Sequence, residues 1–361
     1  MARSLSAAGV SAINAALQSA VSGPQGVPGA VVCVVNRDGT LLFSGAAGAR
    51  DVETGAPMTP DTALWIASCT KLITSVAAMQ MVERGKLRLD DADQAEEVCP
   101  ELRDVKLLKE GEGGELVLVE KTNRITLRKL LNHTAGFGYT FFNTKLFKWS
   151  RPIGVDEVGA HHSAINTPLV AEPGEEFNYG NIFEPLGIKD ITMFPAAAPA
   201  ALPNCPNTAQ PQIILTQPPP LPFELLATLL NAGTSPTTHR AILTPTSVAH
   251  LFTNQIPGMP DFGRRGMPAA KPWYTNVIPD MYPQGAAPQG WGLASFITVE
   301  PGPTGRGAGA GYWAGLPNLY WWIDPEKGVG GIVGAQVFPF NDPGVVNLWV
   351  NAEVCVYQNL S

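Results

Sequence analysis

Charge is scarce in this sequence. Of 361 residues only 15% are Asp, Glu, Lys or Arg, against about a quarter in an average soluble domain. The charge present leans acidic, with 24 basic and 31 acidic residues and a net charge of −7. The chain therefore lacks the basic stripe that displaces phosphate counterions, and no nucleic-acid partner is expected. Long apolar runs are missing too: no stretch of 18 residues is continuously apolar, so no bilayer-spanning helix and no membrane partner are expected. Cysteine is sparse, with five residues at 33, 69, 99, 205 and 355 and no CxxC or CxxH pair. That pattern excludes a zinc scaffold and a disulfide framework and suits reduced thiols in a cytoplasmic protein. Neither a metal nor a cofactor is expected.

What the chain does have is apolar content, at 45%, and turn formers, with 37 Gly and 33 Pro. It is long enough for one large domain or two modest ones with a sizeable core. Near the N-terminus Leu5, Ile13, Leu17 and Val21 are spaced like one helix face. This reads as a mature amphipathic helix over about 3–20, not a signal peptide. Ala30–Val35 is a β-branched run. The turn Arg37-Asp38-Gly39 and the stretch Thr40–Ser44 complete a β-hairpin with Gly39 in the left-handed position. A helix is expected from Ser68 to Glu83 with Gly85 as its C-cap, and another over Leu127–Asn132 with Thr126 as N-cap.

Residues 195–222 are proline-rich and read as an exposed loop; helical pattern resumes at Phe223–Asn231. Strands are expected at Trp291–Val299, Ala310–Leu316, Leu319–Ile323 and Val329–Phe338. A last helix over Gly344–Gln358 carries Val345, Trp349, Ala352 and Val356 on one face. Strands at both ends with helices between imply an α+β fold. Residues 1–60 and 285–361 would form one antiparallel sheet flanked by the terminal helices, and 61–284 a mostly helical insertion.

Chemistry is signalled at Ser68-Cys69-Thr70-Lys71. A serine hydroxyl is a weak nucleophile at neutral pH and needs a base within hydrogen-bond reach. On a helix, residues three apart are neighbours, and a lysine amine can act as that base when removed from water. Free N–H groups at the helix start could hold the oxyanion of a tetrahedral intermediate. A phenol to relay the proton is the natural third member. Tyr179-Gly180-Asn181, Tyr274-Thr275-Asn276 and Tyr357-Gln358-Asn359 all offer a YxN pattern. Tyr357 lies on the last helix and Tyr274 in a Pro/Gly-rich loop, whereas Tyr179 follows a tight turn, Glu172–Asn178, that feeds a short extended segment.

Together these motifs resemble, in order, those of the serine β-lactamase-related family, which includes class C β-lactamases, family VIII esterases and fungal transesterases of the lovastatin acyltransferase type. The residues that carry the resemblance are Ser68–Lys71, Leu130–Gly136, Pro173–Asn181, Glu184–Ile188 and Tyr312–Gly315. It implies a β-lactamase/transpeptidase-like fold, with the helical insertion shortened near 182–222 relative to the family pattern. It implies Ser68 as nucleophile, with Lys71 and Tyr179 sharing proton transfer. The N–H of Ser68 and one near Leu316, beyond Gly315, would form the oxyanion hole. Asn181 would hold the lysine or the acyl group, and Trp313 would line the acyl pocket. A tryptophan at 313 cannot pair with a substrate carboxylate, which favours a neutral ester or thioester over penicillin-like substrates.

The implied function is acyl transfer through an acyl-enzyme, as an acyltransferase or esterase in secondary metabolism, with an acyl carrier protein as a potential donor. A β-lactamase or D-Ala carboxypeptidase, and an inactive scaffold that keeps the fold, are the alternatives. His133 reads as a structural hydrogen-bonding residue, His161-His162 as loop residues, and Cys69 as pointing away from the Lys71 face. Gly307–Gly311 lacks the spacing of a dinucleotide loop.

Overall fold

The structure is a computed structural model, and it describes residues 3–154, 167–180, 221–281 and 285–361. The described residues fall into two compact units. One lies within Met1–Thr70, Met193–Thr253 and Ser295–Ser361, the other within Lys71–Thr192 and Asn254–Ala294.

The first unit is built on an antiparallel sheet. Its strands are β1 (Gly29–Asn36), β2 (Leu41–Gly48), β3 (Phe296–Thr298), β4 (Gly311–Gly315), β5 (Leu319–Asp324) and β6 (Val329–Ala335). They are ordered β2-β1-β6-β5-β4-β3. The N-terminal hairpin thus joins the C-terminal strands through β1 and β6, from Ala30 opposite Ala335 to Asn36 opposite Val329. The hairpin turn is closed by Asn36, whose Oδ1 accepts from the N–H groups of Asp38 and Thr40 at 3.0 and 2.9 Å.

Every residue of β1 and β5 is buried, the pattern of strands covered on both faces. The cover is helical. The first helix, Ala7–Ala20, presents Ile13 and Leu17, both at zero exposure. The last helix, Pro343–Asn359, buries Val345, Trp349, Ala352 and Val356, the apolar face legible in the sequence. These two helices pack on each other and reach β2 and β6, while helix Leu221–Leu230 packs on β1, β5 and β6. Full burial of each large apolar side chain contributes about 1.5–3 kcal/mol.

Both terminal helices start where a side chain caps them. Ser6 accepts from Gly9 N–H, and Asp342 accepts from the N–H groups of Gly344 and Val345. The first helix therefore begins at Ala7, later than the sequence suggests, because Leu5 is held in a β-bridge to Leu360. The strand expected over Trp291–Val299 is broken. Gln289–Trp291 and Phe296–Thr298 are separate short strands, with the chain bending at 293–295 between them. A buried ion pair ties the loop before β4 to the last helix: Arg306 Nε donates to Glu353 Oε2 at 2.9 Å, and its guanidinium lies 3.7 Å from the Tyr312 ring centre.

The second unit is assembled from short capped helices. Ala92–Val98 is capped by Asp91, Leu127–Leu131 by Thr126 and Thr144–Ser150 by Asn143. A two-stranded ribbon, Leu107–Glu110 with Leu116–Val119, accompanies them. Leu102, Leu107, Ile125, Leu130, Phe137 and Leu169 form its core. Of the proline-rich stretch 195–222, residues 195–220 lie outside the described residues. Its last two residues, Leu221 and Pro222, begin the helix that the sequence placed at Phe223; proline is tolerated in a first turn, whose N–H groups have no helical acceptor. Among the described residues no helix is long and apolar enough to cross a membrane.

Candidate active site

In the first unit the chain reaches Ser68 through a single 3₁₀ turn, Ala67–Cys69, and the α-helix proper runs from Thr70 to Glu83. The helix expected to start at Ser68 therefore starts two residues later, and Ser68 sits in the tighter turn at its head. Ala67, immediately before it, has φ +41, a region that L-residues avoid and that marks local strain. Because the turn runs into the helix without a break, Ser68 and Lys71 stay three residues apart on one helical path. Ser68 is half-buried. Cys69 directs its Sγ toward the carbonyl of Leu319 at 3.9 Å.

Strand β4 ends against this turn. A Cβ placed on Gly315 would lie 2.4 Å from the Ile66 carbonyl oxygen and 3.2 Å from Cys69 Sγ, so only glycine allows the approach. Leu316 follows at the start of the next turn and is half-buried. Trp313 is buried in mid-strand, paired with Trp321 of β5.

Lys71 belongs to the second unit, and there its side chain is 2% exposed. Its Nζ donates to the Tyr139 hydroxyl at 3.0 Å. It also lies 5.3 Å from the centre of that ring and 5.0 Å from the centre of the Tyr179 ring. Both tyrosines are buried, and their ring centres are 5.7 Å apart. A cation over aromatic faces in a place shielded from water is held more firmly than one at the surface. The structure thus brings Lys71 and Tyr179 together and adds Tyr139.

Tyr179 comes from the extended end of the segment that turns at Gly174, where φ is +96. It is walled by His133 at 4.5 Å and Trp291 at 6.1 Å between ring centres. Gly180 lies so close to the chain at Phe137 that a Cβ would meet the Phe137 carbonyl oxygen at 2.4 Å. Burial, and then the charge of Lys71, push the His133 imidazole well below its ordinary pKa, so it is neutral near pH 7. Asn181 and His161-His162 lie outside the described residues. Among the described residues no group of three or more His, Cys, Asp or Glu side chains could hold a metal ion.

The model of the beta-lactamase family matches residues 14–355 of this chain. The chain belongs to the beta-lactamase family. Within it, the chain is similar to acyltransferase mokF of Monascus pilosus, at 35% identity over 46% of this chain and 42% of that protein. It is similar to the monacolin J acid methylbutanoyltransferase of Aspergillus terreus, at 26% identity over 96% of this chain and 95% of that protein. A lovastatin esterase of Penicillium rubens is 31% identical over 47% of this chain and 49% of its own length. The match thus spans about half the length of the first and third of these relatives. Among solved structures, unliganded simvastatin synthase (LovD) from Aspergillus terreus shares the fold. Its TM-score is 0.72 at 23% identity, covering 98% of this chain and 99% of that one.

Tyr139 is the residue that reading the sequence for YxN patterns passes over. Its signal was available in another form: a tyrosine three residues past the family's Leu130–Gly136 block, in the run Gly136-Phe137-Gly138-Tyr139. A polar-tipped aromatic in such an apolar run needs a buried partner for its hydroxyl, and here that partner is Lys71.

Proposed function

We propose that this protein transfers an acyl group from a neutral ester or thioester through a covalent ester on Ser68. The observation that carries this reading is Lys71, a lysine at 2% exposure. It is enclosed by two phenols and sits three residues past a serine in a strained turn. An amine in such a place meets little water that could compete for its proton.

In the proposed cycle Lys71 and Tyr179 take the Ser68 proton as Oγ attacks the carbonyl carbon. The N–H of Ser68 and one from the chain at Leu316 receive the developing oxyanion. The approach of Gly315 to Ile66 and Cys69 supports that pairing, because it sets the end of β4 against the Ser68 turn. Collapse of the tetrahedral intermediate breaks the bond to the leaving alcohol or thiol, which takes the proton back from the lysine–tyrosine pair. An alcohol then attacks the acyl-enzyme carbonyl and loses its proton to the same pair; the second tetrahedral intermediate collapses with cleavage of the carbon–Oγ bond, Ser68 Oγ takes the proton back, and the new ester leaves. Trp313 and Asn181 are assigned to acyl binding.

The Aspergillus terreus relative named for methylbutanoyl transfer supports a short branched acyl group and a role in secondary metabolism. An acyl carrier protein as donor and a cytoplasmic location complete the proposed setting. The Penicillium rubens relative favours a second outcome at the same acyl-enzyme, with water as acceptor.

Intact-mass spectrometry after incubation with short acyl thioesters tests the proposal. The expected result is a mass increase of one acyl group that is absent in Ser68→Ala. Added alcohols should shorten the adduct's lifetime more than water does if the enzyme is a transferase. No adduct with any ester, thioester or fluorophosphonate would leave only the scaffold reading.

A further inference from the structure

His133 is a buried, titratable side chain that the proposed cycle does not use. It follows Asn132 at the end of helix Leu127–Leu131 and has φ +59, a left-handed conformation that most side chains avoid. The result of that conformation is specific. The His133 carbonyl accepts from Asn178 N–H at 2.8 Å, and its Nδ1 accepts from Gly180 N–H at 3.3 Å. In an extended chain, alternate residues present their polar groups to the same side. His133 therefore bonds the residues immediately before and after Tyr179, much as a neighbouring strand would.

The imidazole is itself fixed. It meets Trp291 edge-on at 5.1 Å and Phe177 at 5.8 Å between ring centres, and Tyr179 at 4.5 Å. A ring that accepts at Nδ1 carries its proton on Nε2, the neutral tautomer. Gly180 cannot slip sideways, because its backbone is already against Phe137 and Gly138.

We propose that His133 is the positioning residue of the site: it clamps both flanks of Tyr179 and so fixes the phenol against Lys71. The proposal rests on the reading of Tyr179 as a proton carrier. It assigns His133 no contact with substrate.

The test uses the full chain, p-nitrophenyl ester turnover and a double-mutant cycle. In His133→Asn the amide oxygen stands where Nδ1 stood, and asparagine accepts left-handed φ, so kcat stays within about threefold of wild type. In His133→Gln the volume is filled but the acceptor is displaced toward the Nε2 position. There kcat falls by about tenfold or more, with KM changed by less than about twofold. His133→Ala is the harsher variant; if it does not fold, the Asn and Gln pair still decides. The cycle then asks whether His133→Gln slows Tyr179→Phe any further. No additional loss of kcat in that background is expected, since a clamp on an absent hydroxyl has nothing left to position. A full additive loss, or equal losses in Asn and Gln, would overturn the clamp and leave Tyr179 in place. Wild-type turnover by Tyr179→Phe alone would instead overturn the underlying catalytic reading, so the two failures are distinguishable.

Discussion

Replacing Tyr139 by Phe removes a single oxygen from the wall around Lys71. The ring 5.3 Å from Nζ remains, while the acceptor at 3.0 Å is lost. Tyr139 is 8% exposed and Lys71 2%, so bulk water is poorly placed to supply a substitute. A hydrogen bond to a charged group contributes about 1.5–3 kcal/mol, and about 1.36 kcal/mol is one decade in rate. If the amine needs that bond to stay aligned during acylation, kcat/KM falls by roughly 10- to 150-fold. The assay is the initial rate on a short-chain p-nitrophenyl ester, with thermal unfolding followed in parallel. A variant that melts like wild type and turns over at the wild-type rate would refute the role given to the phenol.

Gly315→Ala places a methyl 2.4 Å from the Ile66 carbonyl oxygen, which must push the end of β4 away from the Ser68 turn. Fluorophosphonate labelling of Ser68 should slow by about tenfold or more through the displaced oxyanion donor, and unchanged labelling would disconnect β4 from the chemistry. Arg306→Met leaves Glu353, at zero exposure, charged and without its guanidinium. The expected loss is about 3–5 kcal/mol in urea unfolding, and a midpoint at the wild-type value would contradict it. His133 gives a pH signature. Its native pKa is held well below 6.5 by burial and by Lys71, so below about pH 6.5 the unfolded state binds a proton that the native state refuses. Stability is then level above that pH and declines as pH falls through it toward the native pKa. His133→Asn should lack this component, as read from urea midpoints near pH 5 and pH 8, and an identical decline in both proteins would assign it elsewhere.

Much of the fold was legible because its signals are local. The β-branched run became β1, the Asp-Gly turn closed the hairpin with Gly39 at φ +81, and Thr126 capped the helix it preceded. The four-residue apolar face of the last helix was buried as its spacing implied. Errors fell where tertiary contacts decide a boundary. The β-bridge of Leu5 to Leu360 postpones the first helix; its partner lies at the far end of the chain, and no propensity carries that information. A bend at 293–295 divides one expected strand into two short ones.

The candidate site divides in the same way. Ser68 and Lys71 are candidates because helical spacing makes them neighbours, and Tyr179 because a tight turn distinguishes it from two other tyrosines with the same pattern; the structure brings the Lys71 amine and the Tyr179 ring within 5.0 Å. Tyr139 escaped because its partner is 68 residues away, and a phenol has no sequence pattern that names the amine it faces. His133 was readable only as a hydrogen-bonding residue near a helix end. What it bonds depends on a positive φ that returns the chain toward residues 178–180. Residues proposed for chemistry leave motifs because their types are fixed by reactivity. Those that hold the chemistry in place are fixed by geometry, which a sequence records only after the fold has brought distant segments together.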